Sequence, residues 1–335
     1  MCTAMMLKTA QGETFFGRTM DFSYLLEPQL FVSAAGCEWD SVLKTSRIRD
    51  RYSFIGIGQD ISQIAFADGV NEAGFTAAAL YFPGYAHYSS KGAGSISVGS
   101  IDLVRFLLGS CSSVEEARRL LPTVRIIGIE DSVTRSVAPL HWILADQTGK
   151  CLVVEQTKSG MHLFDNPLGV LSNSPDYPWH VENLRNYMDA SPEQPSQSLW
   201  GSFALAPFGQ GAGTYCLPGG YTPPARFVRT AFQKAHVPAP ADCREAVNTC
   251  FHIMESVSIP KGIVVTDRGT CDFTQYTAFI NTYEIKYYFR TYDHFRISTA
   301  GLTRESVFQA DKIKRPVSLG KLAHINEFNE FPPLS

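Results

Sequence analysis

Two short apolar runs open the chain. Residues 4–8 and 14–18 are rich in Met, Phe and Thr, and Gln11-Gly12 separates them. Runs of this length around a turn dipeptide predict two strands folded as a hairpin. With a four-residue loop over positions 9–12, Lys8 faces Glu13 and Cys2 falls opposite Thr19, which brings Cys2 close to Arg18 and Asp21. Similar patterns predict strands at 29–34, 52–58, 63–67 and 75–82. A polar loop is expected at 44–50, with turns at Asp68-Gly69, at 71–74 and at Pro83-Gly84.

The spacing turns helical near residue 100. Ser100 precedes a helix over 101–108. Ser113 and Glu116 form a capping box for a second helix, which sets Val114, Ala117, Leu120 and Leu121 on one face before Pro122 ends it. Strands return at 141–145, 151–155 and 168–171, the last running into Asn173-Ser174-Pro175. Residues 179–188 read as helix. Between 190 and 224 Gly, Pro and Ser surround apolar residues, which predicts a long structured loop. Helices follow over 225–236, with Phe227, Val228, Ala231 and Phe232 on one side, and over 241–254. Strands close the pattern at 262–266, 275–282, 285–292 and 294–298, and the tail after Lys314 carries little pattern. No repeat or boundary divides residues 1–335. Strands at both ends with helices between them predict one α+β domain, with two sheets covered by helices.

Composition narrows the function classes. The 335 residues are 44% hydrophobic and 18% charged, ordinary for a globular chain with a large core. A net charge of −3 without a long basic run argues against a nucleic-acid surface. No apolar stretch approaches the roughly 18 residues of a membrane span. Lys8 interrupts the only apolar segment near the N-terminus, so no secretory signal is expected and the location expected is cytoplasmic. Eight scattered cysteines without a C-x-x-C pair read as reduced, mostly core thiols, which argues against a thiol redox enzyme. The eight histidines lack metal-ligand spacing, so neither metal nor cofactor is expected.

Cys2 is the chemically distinctive residue. Met1 precedes a small residue, the usual condition for removal of an initiator methionine. Without Met1, Cys2 carries a thiol and a free α-amine, groups with ordinary pKa values of about 8.5 and about 7.7–8.0. One residue then supplies nucleophile and base. Asp21 nearby can orient the amine, and Arg18 nearby favours thiolate. Position alone is weak support, since a cysteine at residue 2 is ordinarily incidental.

Several motifs carry a resemblance in the same order along the chain: MCTAMML with FGRTMDF, DGVNEAGF, LYFPGYA, LSNSP before a Tyr-x-Trp-His run, PFGQGAG with LPG, ARF and SIPKG. Together, from residue 2 to about residue 300, they resemble the choloylglycine hydrolase family of penicillin V acylases and conjugated bile salt hydrolases. The resemblance implies a four-layer αββα N-terminal nucleophile hydrolase sandwich with two stacked antiparallel sheets. It implies Cys2 as nucleophile and Arg18, Asp21, Tyr81, Asn173 and Arg226 as the remaining catalytic set. It also implies a homotetramer, with the loop region within 188–224 in the contacts.

The implied roles have physical content. The Asn173 amide and the Tyr81 backbone N–H form an oxyanion hole, and Arg226 joins Cys2 and Asp21 in an ionic network. Each has a plainer alternative: Asn173 as a turn residue, Arg226 as a solvated helix-start arginine, Arg18 and Asp21 as an exposed cross-strand pair. Met20, Phe22, Tyr24 and Phe66 are candidate pocket residues, or simply core. Tyr81 and the TPPARF segment look like the acylases, whereas Phe82-Pro83-Gly84-Tyr85-Ala86 looks like the bile salt enzymes. The first expectation is a penicillin V acylase-like cleavage of a small-molecule N-acyl amide. Conjugated bile salt hydrolysis is the alternative, and an acyl-homoserine lactone acylase or a catalytically silent binding protein are further ones.

Overall fold

The N-terminal hairpin lies inside a sheet. In the computed structural model, which describes residues 1–43, 47–61, 64–89, 96–130, 135–303 and 317–318, the strands Cys2–Lys8 and Thr14–Phe22 have neighbours on both sides. The first sheet runs Val170–Leu171, Cys2–Lys8, Thr14–Phe22, Cys271–Asn281, Lys286–Thr291, His294–Gly301. The second runs Gly160–Asp165, Cys151–Thr157, Leu140–Ala145, Thr76–Tyr81, Ile64–Asn71, Phe54–Asp60, Gln29–Ser33, Val317–Ser318. Neighbouring strands in both are antiparallel.

The hairpin register differs by one residue from the four-residue-loop expectation. The Thr9 N–H donates to Glu13 O at 2.9 Å and the Gly12 N–H to Thr9 O at 3.0 Å, so Glu13 belongs to the loop. Gly12 supplies the φ of +89° that this turn requires. Lys8 therefore faces Thr14, and Cys2 faces Met20 rather than Thr19. Side chains alternate between faces with a period of two, so this slip moves Arg18 onto the face of Cys2 and leaves Thr19 and Asp21 on the other.

The face carrying Cys2 and Arg18 packs on the second sheet. Phe16, Ala278, Ile280 and Tyr287 bury themselves against Ile57, Val70, Ala78 and Ile143. Each large apolar side chain in this layer contributes about 1.5–3 kcal/mol of burial. Helices Pro223–His236 and Cys243–Glu255 cover the outer face of the first sheet, where Phe251 meets Phe279 at 5.5 Å. Helices Leu103–Ser110 and Val114–Leu120 cover the second through Phe54, Ala77, Trp142 and Leu144. The layers are thus α, β, β, α.

Other expectations shift locally. Asp68-Gly69 is not a turn but lies within Ile64–Asn71: the Asp68 carboxylate points between the sheets, and at Gly69 a Cβ would run into Leu108. The helix expected from residue 101 begins as a 3-10 turn at Ser100–Asp102. Part of the expected polar loop, Arg47–Arg49, pairs with Glu38–Asp40. Residues 44–46 and Gln63 lie outside the described residues, as does the tail apart from 317–318. The 262–266 strand shrinks to Val264–Val265. The long loop contains an exposed hairpin, Ser198–Trp200 with Phe203–Leu205. Among the described residues no helix is long and apolar enough to cross a membrane.

Candidate active site

The first strand starts at the site. Cys2 is buried, and Arg18 Nη2 approaches its Sγ at 2.5 Å from the diagonal position on the neighbouring strand. Arg18 Nη1 donates to Ala79 O at 2.6 Å and to Ala67 O at 3.2 Å, which ties the guanidinium to the second sheet. Asp68 Oδ2 lies 4.0 Å from Nη1 and accepts from the Tyr276 hydroxyl at 2.9 Å, while Asp68 Oδ1 accepts from the Tyr287 hydroxyl at 2.7 Å. Burial disfavours the charge on Arg18, but Cys2, Tyr276 and Asp68 outweigh it and hold its pKa above the ordinary value. Burial pushes the Asp68 carboxyl up, against the pull of Arg18 and the two tyrosines.

Asn173 arrives from the sheet edge. Val170–Leu171 pairs with the first strand at Ala4 and Met5, so the chain two residues on runs alongside Cys2. The Cys2 N–H donates to Asn173 Oδ1 at 2.6 Å, and Asn173 Nδ2 donates to Tyr81 O at 2.7 Å. His180 Nε2 donates to Asn173 O at 2.7 Å and fixes the backbone there.

Tyr81 ends its strand. Its partner Leu140 directs its own N–H and carbonyl to the Tyr88 hydroxyl, and the Phe82 N–H turns to Pro139 O. Leu140 and Tyr81 are therefore a non-hydrogen-bonded pair, and the Tyr81 N–H points to the same side as its carbonyl, toward Asn173.

Arg226 and Asp21 work from the opposite face of the first sheet. Arg226 is the fourth residue of Pro223–His236, whose start Thr222 caps. It donates to Cys2 O at 2.6 Å, to Asn173 Oδ1 at 2.7 Å and to Thr3 Oγ1, and it lies 3.6 Å from Asp21 Oδ2. Burial lowers its pKa, and Asp21 opposes that. Thr274 Oγ1 donates to Asp21 Oδ1 at 2.6 Å and Thr19 Oγ1 to Oδ2 at 3.2 Å. The Cys2 nitrogen thus meets Asn173, and Asp21 reaches the Cys2 residue through Arg226.

All six candidate catalytic residues lie in this one cluster. Met20, Phe22, Tyr24 and Phe66 line, with Cys2 and Tyr81, a cavity of about 210 Å³. Phe66 is also core, packing on Phe31 and Phe54. Sequence reasoning missed Thr274, which the register sets opposite Asp21, and also His180 and Arg268. With Met1 attached, the Cys2 nitrogen is a peptide amide and can only donate. A released amine there would sit beside a thiol, a cation and two amide donors, the equipment of acyl transfer.

The chain is similar to known proteins over nearly its whole length. A family model described as linear amide C–N hydrolases, choloylglycine hydrolase family, matches residues 2–315. A bile salt hydrolase/transferase of Clostridium perfringens (strain 13 / Type A) is 33% identical over 332 residues, 98% of this chain and all of that protein. One from Lactiplantibacillus plantarum is 31% identical over 319 residues, 95% of this chain and 97% of that protein. A mutant conjugated bile acid hydrolase from Clostridium perfringens superposes with a TM-score of 0.89 at 32% identity, covering 98% and 100% of the two chains. Penicillin V acylase from Agrobacterium tumefaciens superposes with a TM-score of 0.79 at 21% identity, covering 97% and 94%, a likeness of fold. The four-layer arrangement is accordingly that of the N-terminal nucleophile hydrolases, and the chain belongs to the choloylglycine hydrolase family of linear amide C–N hydrolases.

Proposed function

We propose that this chain hydrolyses an N-acyl amide with a bulky apolar acyl group, using Cys2 after removal of Met1. The observation that carries the reading is the Cys2 Sγ to Arg18 Nη2 distance of 2.5 Å, beside the Asn173 amide and the wall of an apolar cavity. The thiolate attacks the carbonyl and a C–S bond forms. Asn173 Nδ2 and the Tyr81 N–H donate to the resulting oxyanion. The intermediate collapses, and the Cys2 ammonium protonates the departing amine. Water, deprotonated by the same amine, then releases the acid from the thioester.

Conjugated bile salts are the first substrates to test, supported by identities above 30% to proteins named for that activity. A second reading, penicillin V, is favoured by Tyr81: its ring meets Phe22 edge-on at 6.4 Å and narrows the cavity beside Cys2 toward a flat aromatic acyl group. For assembly, the proposal is a homotetramer held through residues 188–224, where Leu199, Trp200, Phe203 and Phe208 are exposed. Light scattering on the protein and on Trp200→Glu tests this, with dissociation of the variant expected.

The deciding experiment is intact mass together with a two-substrate assay on one preparation, with Cys2→Ala as control. Loss of Met1 and Cys2-dependent cleavage of a glycine or taurine conjugate, or of penicillin V, support the mechanism and rank the two readings. Equal cleavage by Cys2→Ala rejects the nucleophile.

A further inference from the structure

The cavity beside Cys2 has apolar walls and two arginines, and among the described residues no carboxylate lines it. Arg18 is buried and engaged by Cys2 and by the carbonyls of Ala67 and Ala79. Arg268 is placed differently. It sits at the tip of the turn joining Val264–Val265 to Cys271–Asn281 and is exposed. Thr266 closes that turn, donating its N–H to Thr270 O at 2.8 Å and accepting from the Gly269 N–H at 2.9 Å. The Arg268 guanidinium carbon lies 5.6 Å from the centre of the Tyr24 ring. Among the described residues it has no ion-pair partner.

Tyr24 leads inward. Its ring lies 5.9 Å from that of Phe22, which in turn meets Tyr81 at 6.4 Å. One aromatic row therefore runs from the Asn173 side of the site to a cation at the mouth. Stacking on Tyr24 orients the guanidinium without occupying its donors, which remain available to an oxyanion. Arg268 thus brings a positive charge, unpaired among the described residues, to the rim of an apolar cavity whose described lining holds no carboxylate, which attracts negative charge there although the chain as a whole carries −3.

We infer that Arg268 is an anion-binding subsite, taking the carboxylate or sulfonate of an amphipathic N-acyl amide whose apolar body lies along Tyr24 and Phe22. This rests on the amide-hydrolase reading above. The oxyanion is carried either by the departing amine or by the far end of the acyl group.

Two substrate pairs separate these sources. Phenoxyacetylglycine against its methyl ester removes the charge on the amine. The N-ethylamide of 4-carboxyphenoxyacetic acid against that of phenoxyacetic acid removes it from the acyl end. Arg268→Gln keeps a hydrogen-bonding side chain without the charge. For one pair it is expected to raise KM for the charged member about fivefold more than for the neutral one, with kcat changed alike for both. The difference should shrink at high salt. The pair that responds identifies the end that binds. Equal effects within both pairs overturn the subsite while leaving the hydrolase reading intact. If no amide is cleaved, the hydrolase reading fails by itself, and calorimetric binding of the same four compounds to Cys2→Ala and to Cys2→Ala/Arg268→Gln still decides on Arg268. A charge-selective loss of affinity supports the subsite, and equal affinities overturn it.

Discussion

The Cys2 thiol and the Arg18 guanidinium sit on one face of one hairpin, with Sγ 2.5 Å from Nη2, because the pairing runs Cys2 to Met20 and Ala4 to Arg18. Arg18 also faces Asp68 at 4.0 Å between the sheets, so its proposed part in the reaction can be separated from its ion pair. Arg18→Gln should lower kcat/KM about 100-fold, an effect of the size seen when one preorganised donor is lost. It should also cost about 1–3 kcal/mol of stability, because burial lets Asp68 take up a proton instead of remaining an unpaired charge. Adding Asp68→Asn should restore the urea midpoint but not the activity. Recovery of both would mean that Arg18 matters only for folding.

Asn173 offers its carboxamide to three partners: Cys2 N, Tyr81 O and Arg226 Nη2. Asn173→Ala should reduce kcat about 100- to 1000-fold with KM little changed, the pattern of a group that acts in the transition state. Steady-state kinetics on whichever amide proves to be the substrate checks this. A rise in KM at unchanged kcat would assign Asn173 to ground-state binding instead.

In the proposed mechanism the donor at Tyr81 is its backbone N–H, which is present whatever the side chain, so the ring can be removed without removing that donor. Tyr81→Asn should widen the cavity beside Phe22 and shift the ratio of kcat/KM toward steroid conjugates over penicillin V by about tenfold. Competition between the two substrates in one vessel reads this ratio directly.

His180 lies buried against Phe227, and its Nε2–H is fixed on Asn173 O. Burial lowers its pKa to about 4 from the ordinary 6.5, with the Asn173 carbonyl opposing and His141 and Arg226 reinforcing the shift. The unfolded chain then binds the proton more readily than the folded one between these values. Stability is accordingly full above about pH 6.5 and falls as the pH drops toward 4, by on the order of 3 kcal/mol from this residue. Urea midpoints between pH 4 and 8 should show that slope, and His180→Gln should flatten it. An unchanged slope in the variant would place the titration elsewhere.

How much was legible depended on distance along the chain. Cys2, Arg18 and Asp21 share a hairpin, so local pattern brought them together even though the turn took one more residue, Glu13, than the loop length suggested. Asn173 and Arg226 came into view through the motif resemblance, since the pairing of Leu171 with Ala4 leaves no local mark in the sequence. Asp68-Gly69 looked like a turn because that dipeptide ordinarily forms one. Tyr276 and Tyr287, about 200 residues away, hold the carboxylate in a strand instead, and tertiary contacts overrode local preference. Thr274 and Arg268 were not visible at all. A threonine in a strand and an arginine in a turn are unremarkable until the register of Cys271–Asn281 against Thr14–Phe22 is known.

The same wide spacing orders events during synthesis. Cys2 is made first, Asn173 and Arg226 emerge much later, and Thr274, which holds Asp21, later still. A ribosome-bound chain that has passed only its first two hundred residues already exposes its N-terminus to methionine removal, yet lacks the arginine that grips Cys2 O and Thr3. On the proposed removal of Met1, the Cys2 amine is therefore freed well before the arginine and threonine that frame it have been made.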